Sequence, residues 1–176
     1  MPKVYISVGS NIEPEKNIPA ALRLLKKEVS IKSVSTFYRT QPVGANGSPE
    51  FYNGAVLVDT GISPMDLKFQ VLRRIEQTLG RTRGADPNAP RTIDLDIVLY
   101  GDLVMREPVL EIPDPDILTR PFVAIPIYEI APELILPDTG LPLAHLVKRM
   151  NRDDMVPLDE FTDRLRKEIL REQAKS

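Results

Sequence analysis

The sequence predicts an α+β sandwich, in which antiparallel strand pairs are layered with helices, and three observations carry that prediction. Residues 4–8, 31–39, 51–59 and 93–100 are short runs rich in β-branched, aliphatic and aromatic residues. Two longer stretches, one after Glu13-Pro14 and one over residues 63–79, repeat apolar residues at helical spacing instead. A chain of 176 residues, 42% of them hydrophobic, is long enough to bury a core between such layers as one domain.

The first run, Val4-Tyr5-Ile6-Ser7-Val8, reads as a buried strand closed by Ser10-Asn11. In the helix that follows, Ile18, Ala21, Leu22, Leu25 and Val29 form the apolar stripe, with Arg23, Lys26 and Lys27 outside. Residues 31–39 read as one continuous strand, with Ile31, Ser33, Ser35 and Phe37 on one face. Thr40-Gln41-Pro42-Val43-Gly44-Ala45-Asn46-Gly47-Ser48-Pro49-Glu50 is then a loop of turn formers, read as either a lid or a surface excursion. The next strand, residues 51–59, holds Asn53, an unusual strand residue whose amide suits a flat heterocycle or a turn.

Ser63-Pro64-Met65-Asp66 is a helix start, with a serine cap, proline in the first turn and an acid near the positive end. The helix runs to Leu79 and stops at Gly80, with Val71, Leu72, Ile75 and Leu79 inward. Arg73 and Glu76, three apart, are expected as surface neighbours. Gly101-Asp102 is read as the turn of a hairpin joining residues 97–100 to 103–105, and residues 108–113 as a further extended piece. Residues 122–130 form an apolar helix carrying Pro126, and residues 143–150 a short one. In the tail, Phe161, Leu165 and Ile169 fall four apart among charges, an amphipathic helix.

The chemistry is concentrated at Pro90-Arg91-Thr92-Ile93-Asp94-Leu95-Asp96-Ile97-Val98-Leu99-Tyr100. On a strand, Asp94, Asp96, Val98 and Tyr100 share one face, and the two carboxylates stand about 7 Å apart along it. Such acids repel when partly desolvated, and a bound cation relieves the repulsion. Hard oxygen ligands suit Mg²⁺, which completes its shell with water and substrate phosphates. Alone, the pair also fits two solvated acids on an open sheet face. Just before it lies Gly80-Arg81-Thr82-Arg83-Gly84-Ala85-Asp86-Pro87-Asn88-Ala89-Pro90-Arg91, a punctuated loop carrying three guanidinium groups, which either bridge surface acids or grip phosphate oxygens bidentately.

The stretch from Pro90 to Val98 resembles the signature of the 6-hydroxymethyl-7,8-dihydropterin pyrophosphokinases, which transfer pyrophosphate from ATP to a pterin alcohol. The likeness extends in order through Tyr5-Ile6-Ser7-Val8-Gly9-Ser10-Asn11, Phe37-Tyr38-Arg39-Thr40 with Pro42 and Gly44, Asn53-Gly54-Ala55-Val56, Arg74-Ile75-Glu76 with Gly80-Arg81, Pro121-Phe122, and Tyr128-Glu129-Ile130-Ala131-Pro132-Glu133-Leu134. It implies a ferredoxin-like core, a mostly antiparallel sheet with helices on both faces, and a loop between the second and third strands that closes over the reactants.

By that resemblance Asp94 and Asp96 would hold two Mg²⁺ ions against the ATP phosphates. Arg81 and Arg91 would act on the phosphates during transfer. Thr40, Val43, Phe51, Asn53 and Phe122 match pterin-pocket positions, and Arg73, Glu76, Arg83, Ile97 and Arg120 match positions around ATP. The chain departs from the pattern where Asn88 replaces a tryptophan, Gly84 a lysine, and Asp114-Pro115 a histidine-tyrosine pair, changes that bear on the ATP grip. Residues 1–150 are then the pyrophosphokinase domain, and residues 151–176, outside the resemblance, a helical extension packed on that domain or on a partner subunit. Two alternatives share these residues: a catalytically impaired pterin-binding regulator, and the same chemistry on a different acceptor alcohol.

Composition narrows the field. A net charge of −2 predicts no general attraction to nucleic acid or anionic membrane. The absence of cysteine excludes disulfides, thiolate metal sites and cysteine nucleophiles, and the single histidine, His145, is read as a structural or surface residue. With no 18-residue apolar run and no cleavable leader pattern, the expectation is a cytoplasmic monomer or homodimer acting on small molecules.

Overall fold

The computed structural model describes residues 1–41, 49–81 and 90–171. Its centre is an antiparallel sheet in which β1 (Lys3–Ser10) lies between β4 (Phe51–Asp59) and the edge strand β5 (Asp94–Tyr100). Along the far side of β4 run two pieces end to end, β2 (Ser30–Val34) and β3 (Tyr38–Thr40), and β3 in turn pairs with β8 (Val156–Pro157).

Residues 31–39 are thus not one strand. A register shift between Ile31 and Ser33 puts both Ile31 and Val34 in the core, which strict alternation forbids. Ser35 carries the ladder a little further, its amide donating to Ala55 O and its hydroxyl accepting from Ala55 N. Beyond it Phe37 turns into the core and sits over Gly54, where a Cβ would come within 2.6 Å of the ring.

Helices cover both faces, as the sequence implied. One face packs against α1 (Pro14–Lys26), the helix at residues 64–78, and α6 (Asp159–Arg171); its core holds Val4, Ile6, Val8, Val56, Val58, Leu95 and Ile97. Phe161, Leu165 and Ile169 enter this same core, and the pairs Arg23–Glu168 and Arg164–Glu15 flank the crossing of α6 over α1. The opposite face packs Tyr5, Ala55, Val98 and Leu99 against α4 (Pro121–Ile130) and α5 (Leu143–Val147). Among the described residues no helix is long and apolar enough to cross a membrane. His145 is exposed on α5.

The second long helix starts at its predicted cap, the Ser63 hydroxyl accepting from the Asp66 amide at 3.2 Å. It is not uniformly α: α2 (Pro64–Asp66) passes into a π segment (Leu67–Leu72) and then α3 (Arg73–Thr78). A wider turn shifts the phase of every residue beyond it, and Glu76 faces inward with Ile75, only 2% exposed. The expectation that Arg73 and Glu76 are surface neighbours is therefore corrected.

Strand β5 carries one residue too many. Against β1, Ile6 pairs Ile97 and Tyr5 pairs Leu99, so Val98 is the unpaired residue of a bulge. The expected single face from Asp94 to Tyr100 holds only as far as the bulge. Beyond it Leu99 joins the α4 face and Tyr100 the α1 face, where its hydroxyl donates to Ile62 O at 2.5 Å. The predicted hairpin is also re-partnered: Met105–Glu107 (β6) pairs with Leu110–Ile112 (β7) in a separate two-stranded sheet rather than with β5. Gly101, at a φ of 52°, still makes its turn, but its amide bonds Lys3 O, and the outer edge of β5 is met by the Asp114 amide at Val98 O.

Candidate active site

The sheet registers bring the predicted residues into adjoining rows. Gly9 of β1 lies opposite Asp94 on β5 and Asn53 on β4, and Ser7 lies opposite Asp96 and Ala55. All of these but Ala55 line a cavity of about 280 Å³ on the α4 face. Thr40, Phe51 and Asn53 form one wall; Phe122 and Arg120 enter from the start of α4; Arg91, Asp94 and Asp96 form the opposite wall with Asp114 and Asp116.

On the first wall the Asn53 amide donates to the Thr40 hydroxyl at 2.7 Å, which fixes its orientation and leaves its carbonyl oxygen beside Gly9. A Cβ at Gly9 would stand 2.7 Å from that oxygen, so a side chain there would displace it. The strand places Asn53 in mid-ladder, not in a turn. Phe122 presents its ring to the cavity with the Arg120 guanidinium 5.7 Å from the ring centroid, while Arg120 also reaches Asp116 at 3.2 Å.

On the second wall both oxygens of Asp94 are held by arginine, Oδ1 by Arg81 at 2.6 Å and Oδ2 by Arg91 at 2.8 Å. Local sequence explains each approach. Gly80 adopts a φ of 84°, and the next amide, Arg81 N, bonds Glu76 O, a helix-ending turn that folds Arg81 back over α3. Arg91 is anchored by Asn11, whose Oδ1 accepts from Arg91 N at 2.6 Å and whose backbone N–H donates to Arg91 O.

Beneath them Glu76 is the buried hinge. Its Oε2 accepts from Arg81 Nη1 at 2.7 Å and from the Leu95 amide at 2.9 Å, and Oε1 lies 3.4 Å from Arg73. Burial pushes its carboxyl above the usual range, against the pull of the Leu95 amide and Arg81. The resemblance matched Glu76 to a position around ATP; in the structure its oxygens meet Arg81, the Leu95 amide and Arg73.

Asp96 behaves differently. Burial raises its carboxyl well above the ordinary value, and the like charges of Asp94, Asp114 and Glu76 raise it further. Asp96 and Asp114 also border a second cavity, lined by Ile97, Leu110, Pro108 and Lys68. Burial lowers the Lys68 ammonium, with Arg73 adding to the effect and Asp96 and Asp114 opposing it. Ile97, itself buried, thus sits one cavity away from Asn53, and Arg73 is a partly exposed neighbour of Glu76. Val43 and Arg83, like residues 42–48 of the expected lid and the departures at Gly84 and Asn88, lie outside the described residues.

Sequence reading missed Ser7, Gly9, Asp116 and Lys68, and noted Asp114 only as a departure. The alternation of β1 contained the signal for the first two, since Ser7 and Gly9 interrupt its apolar pattern on the acid-bearing face. No group of three or more acidic or histidine side chains could hold a metal among the described residues. A pair of hard carboxylates, one of them under like-charge pressure, nonetheless fits Mg²⁺, which binds through one or two protein carboxylates and takes water and phosphate for the rest.

The family model described as 7,8-dihydro-6-hydroxymethylpterin-pyrophosphokinase (HPPK) matches residues 5–132. The 2-amino-4-hydroxy-6-hydroxymethyldihydropteridine pyrophosphokinase of Haemophilus influenzae is 35% identical over 158 residues, covering 88% of this chain and 97% of the relative. The protein of the same name from Pseudomonas aeruginosa is 39% identical over 139 residues, covering 77% of this chain and 85% of the relative. A crystal structure of Plasmodium falciparum HPPK-DHPS with pteroate superposes with a TM-score of 0.69 at 13% identity, over 84% of this chain. The present chain spans 44% of that longer one, and the likeness speaks for the fold. Matched along most of its length, and more than a third identical to two bacterial relatives that it covers almost end to end, this chain belongs to the 7,8-dihydro-6-hydroxymethylpterin-pyrophosphokinase family.

Proposed function

We propose that this protein transfers the terminal pyrophosphate of ATP to the hydroxymethyl group of 6-hydroxymethyl-7,8-dihydropterin, releasing AMP, with magnesium held by Asp94 and Asp96. The observation that carries the reading is the meeting, in one cavity, of the acid pair and its two arginines with an oriented amide and aromatic rings. The named relatives support the same substrates.

Asn53, locked by Thr40, would read the edge of the heterocycle, and Phe51 and Phe122 would cover its faces. The alcohol oxygen forms a bond to the β-phosphorus as the bond from that phosphorus to the α-phosphate oxygen breaks, and negative charge passes to AMP. When bound, magnesium at Asp94 and Asp96, two ions in our reading, would supply Lewis acidity to the phosphate oxygens and lower the alcohol pKa. The chain's own part is charge placement. Both oxygens of Asp94 are engaged by Arg81 and Arg91, so a cation bound there would use the remaining lone pairs of those oxygens or draw a guanidinium away from the carboxylate. A freed guanidinium lies beside the polyphosphate, where its planar fork can bind oxygens that gain charge. The second cavity, with Ile97 at its edge and Arg73 close by, is our candidate for the nucleotide side, with Arg83 and Arg120 as further phosphate contacts.

The test is AMP release from ATP and the pterin alcohol by Asp94→Asn and Asp96→Asn. Each should abolish turnover while circular dichroism shows a folded protein. Near-normal turnover in either would overturn the assignment of the metal ligands.

A further inference from the structure

The gap between β2 and β3 leaves backbone groups that no sheet partner meets, and buried backbone groups need partners. The C-terminal segment and one glutamate supply them. Phe37 N donates to the Thr162 hydroxyl at 2.9 Å, and Phe37 O accepts from Leu158 N at 2.8 Å. Val34 O accepts from Arg166 Nε at 2.9 Å. Thr36 N and its hydroxyl both donate to Glu129 Oε1, at 2.9 and 2.7 Å, and Arg166 Nη2 holds the same oxygen at 3.3 Å. The Tyr38 hydroxyl donates to Glu129 Oε2 at 3.3 Å. Packing repeats the pattern: the Phe161 ring meets Phe37 edge-on at 5.8 Å, and Met155 shares a small core with Tyr38, Ile125 and Phe122.

All of these contacts converge on residues 34–38, directly before Thr40, whose hydroxyl orients Asn53. The family match ends at residue 132, so the α6 side of this arrangement lies beyond it. We propose that the segment from Met155 to Ile169 is a brace that sets the β3 wall of the cavity, with Thr162, Arg166 and Glu129 as positioning residues for the heterocycle. The inference rests on the reading that this wall receives the pterin.

The experiment compares Thr162→Val, which keeps shape but loses the acceptor for Phe37 N, with Thr162→Ser, which keeps it. Arg166→Ala provides a variant outside the core. The KM for the pterin alcohol should rise about 5-fold in Thr162→Val and Arg166→Ala, the worth of one lost hydrogen bond, with the KM for ATP unchanged within about twofold. Thr162→Ser should restore the wild-type value. Amide hydrogen exchange over residues 36–40 should quicken in Thr162→Val and not in Thr162→Ser. Faster exchange with an unchanged pterin KM would overturn the proposal, as would equal rises in both KM values or unchanged exchange. If the wild-type protein turned over no pterin alcohol, the functional reading would fall by itself, and the exchange comparison would still decide whether this segment holds the β3 wall.

Discussion

Two substitutions of Glu76 separate what its oxygen does from what its charge does. Oε2 alone accepts from both Arg81 Nη1 and the Leu95 amide. A glutamine with its carbonyl oxygen in that place keeps both bonds, and its amide takes the place of Oε1, 3.4 Å from Arg73. Alanine removes both. It orphans the Leu95 amide, which costs about 1–3 kcal/mol, and takes one of two carboxylates from an arginine whose side chain is 9% exposed, adding about 2 kcal/mol. Glu76→Ala should therefore lose about 3–5 kcal/mol, or roughly 10–15 °C in Tm for a chain of this length, and Glu76→Gln no more than about 1 kcal/mol.

The pH dependence gives a second readout. Because burial raises the Glu76 carboxyl in the folded state, the folded protein holds that proton more tightly than the unfolded chain does. Its contribution to stability is complete below the ordinary carboxylate range and is lost as pH rises through the raised value. Glutamine, which never ionises, should gain on the wild type as pH rises from about 4 to 7. Urea unfolding followed by circular dichroism at several pH values checks both statements. Equal losses for glutamine and alanine, or a glutamine variant that falls behind with rising pH, would refute this account of the buried carboxylate.

In initial-rate assays Arg91→Ala should lower kcat by about 10²-fold with a smaller change in the KM for ATP, because the charge matters most as the leaving group forms; a change in KM alone would make it a docking residue. With a chelator present, Asp96→Asn should be more stable than the wild type by about 2 kcal/mol, since two unit charges about 7 Å apart interact by about 2.4 kcal/mol at an effective dielectric near 20; a less stable variant in thermal unfolding contradicts it. Leu165→Ala should cost about 3 kcal/mol in urea titrations, as expected for a core leucine, and a loss under about 1 kcal/mol would show that α6 does not share the core.

Much of the fold was legible because periodicity and capping act locally. Strand β4 follows its predicted span, Ser63 and Gly80 bound the second helix as expected, and helices occupy both faces of the sheet. What escaped were the places where one residue shifts a pattern. The π segment has no mark in Leu67-Lys68-Phe69-Gln70-Val71-Leu72, yet it turns Glu76 inward. The shift near Ser33 and the bulge at Val98 satisfy packing on two faces at once, which alternation read along a single strand cannot foresee. The rivalry for β5's edge, settled by Asp114 rather than residues 103–105, is likewise a tertiary outcome. At the site, Asp94, Asp96, Arg91 and Arg81 come together from one contiguous motif, whereas Ser7 and Gly9, Asp114 and Lys68 arrive from three separate segments.

The surplus residue at Val98 divides β5 into two halves that answer to different neighbours. Ahead of it, side-chain direction is fixed by register with Gly9 and Ser7; behind it, by the Tyr100 tether to Ile62. Excising Val98 would leave a plain ladder in which Ile97 and Leu99 still oppose Ile6 and Tyr5 and the aspartates and Tyr100 keep opposite sides of the sheet, whereas a second added residue would pit these anchors against each other. Insertions in this strand are therefore far more hazardous than loss of the surplus residue, and variation that leaves the acids in place is best sought in the turns beyond Tyr100.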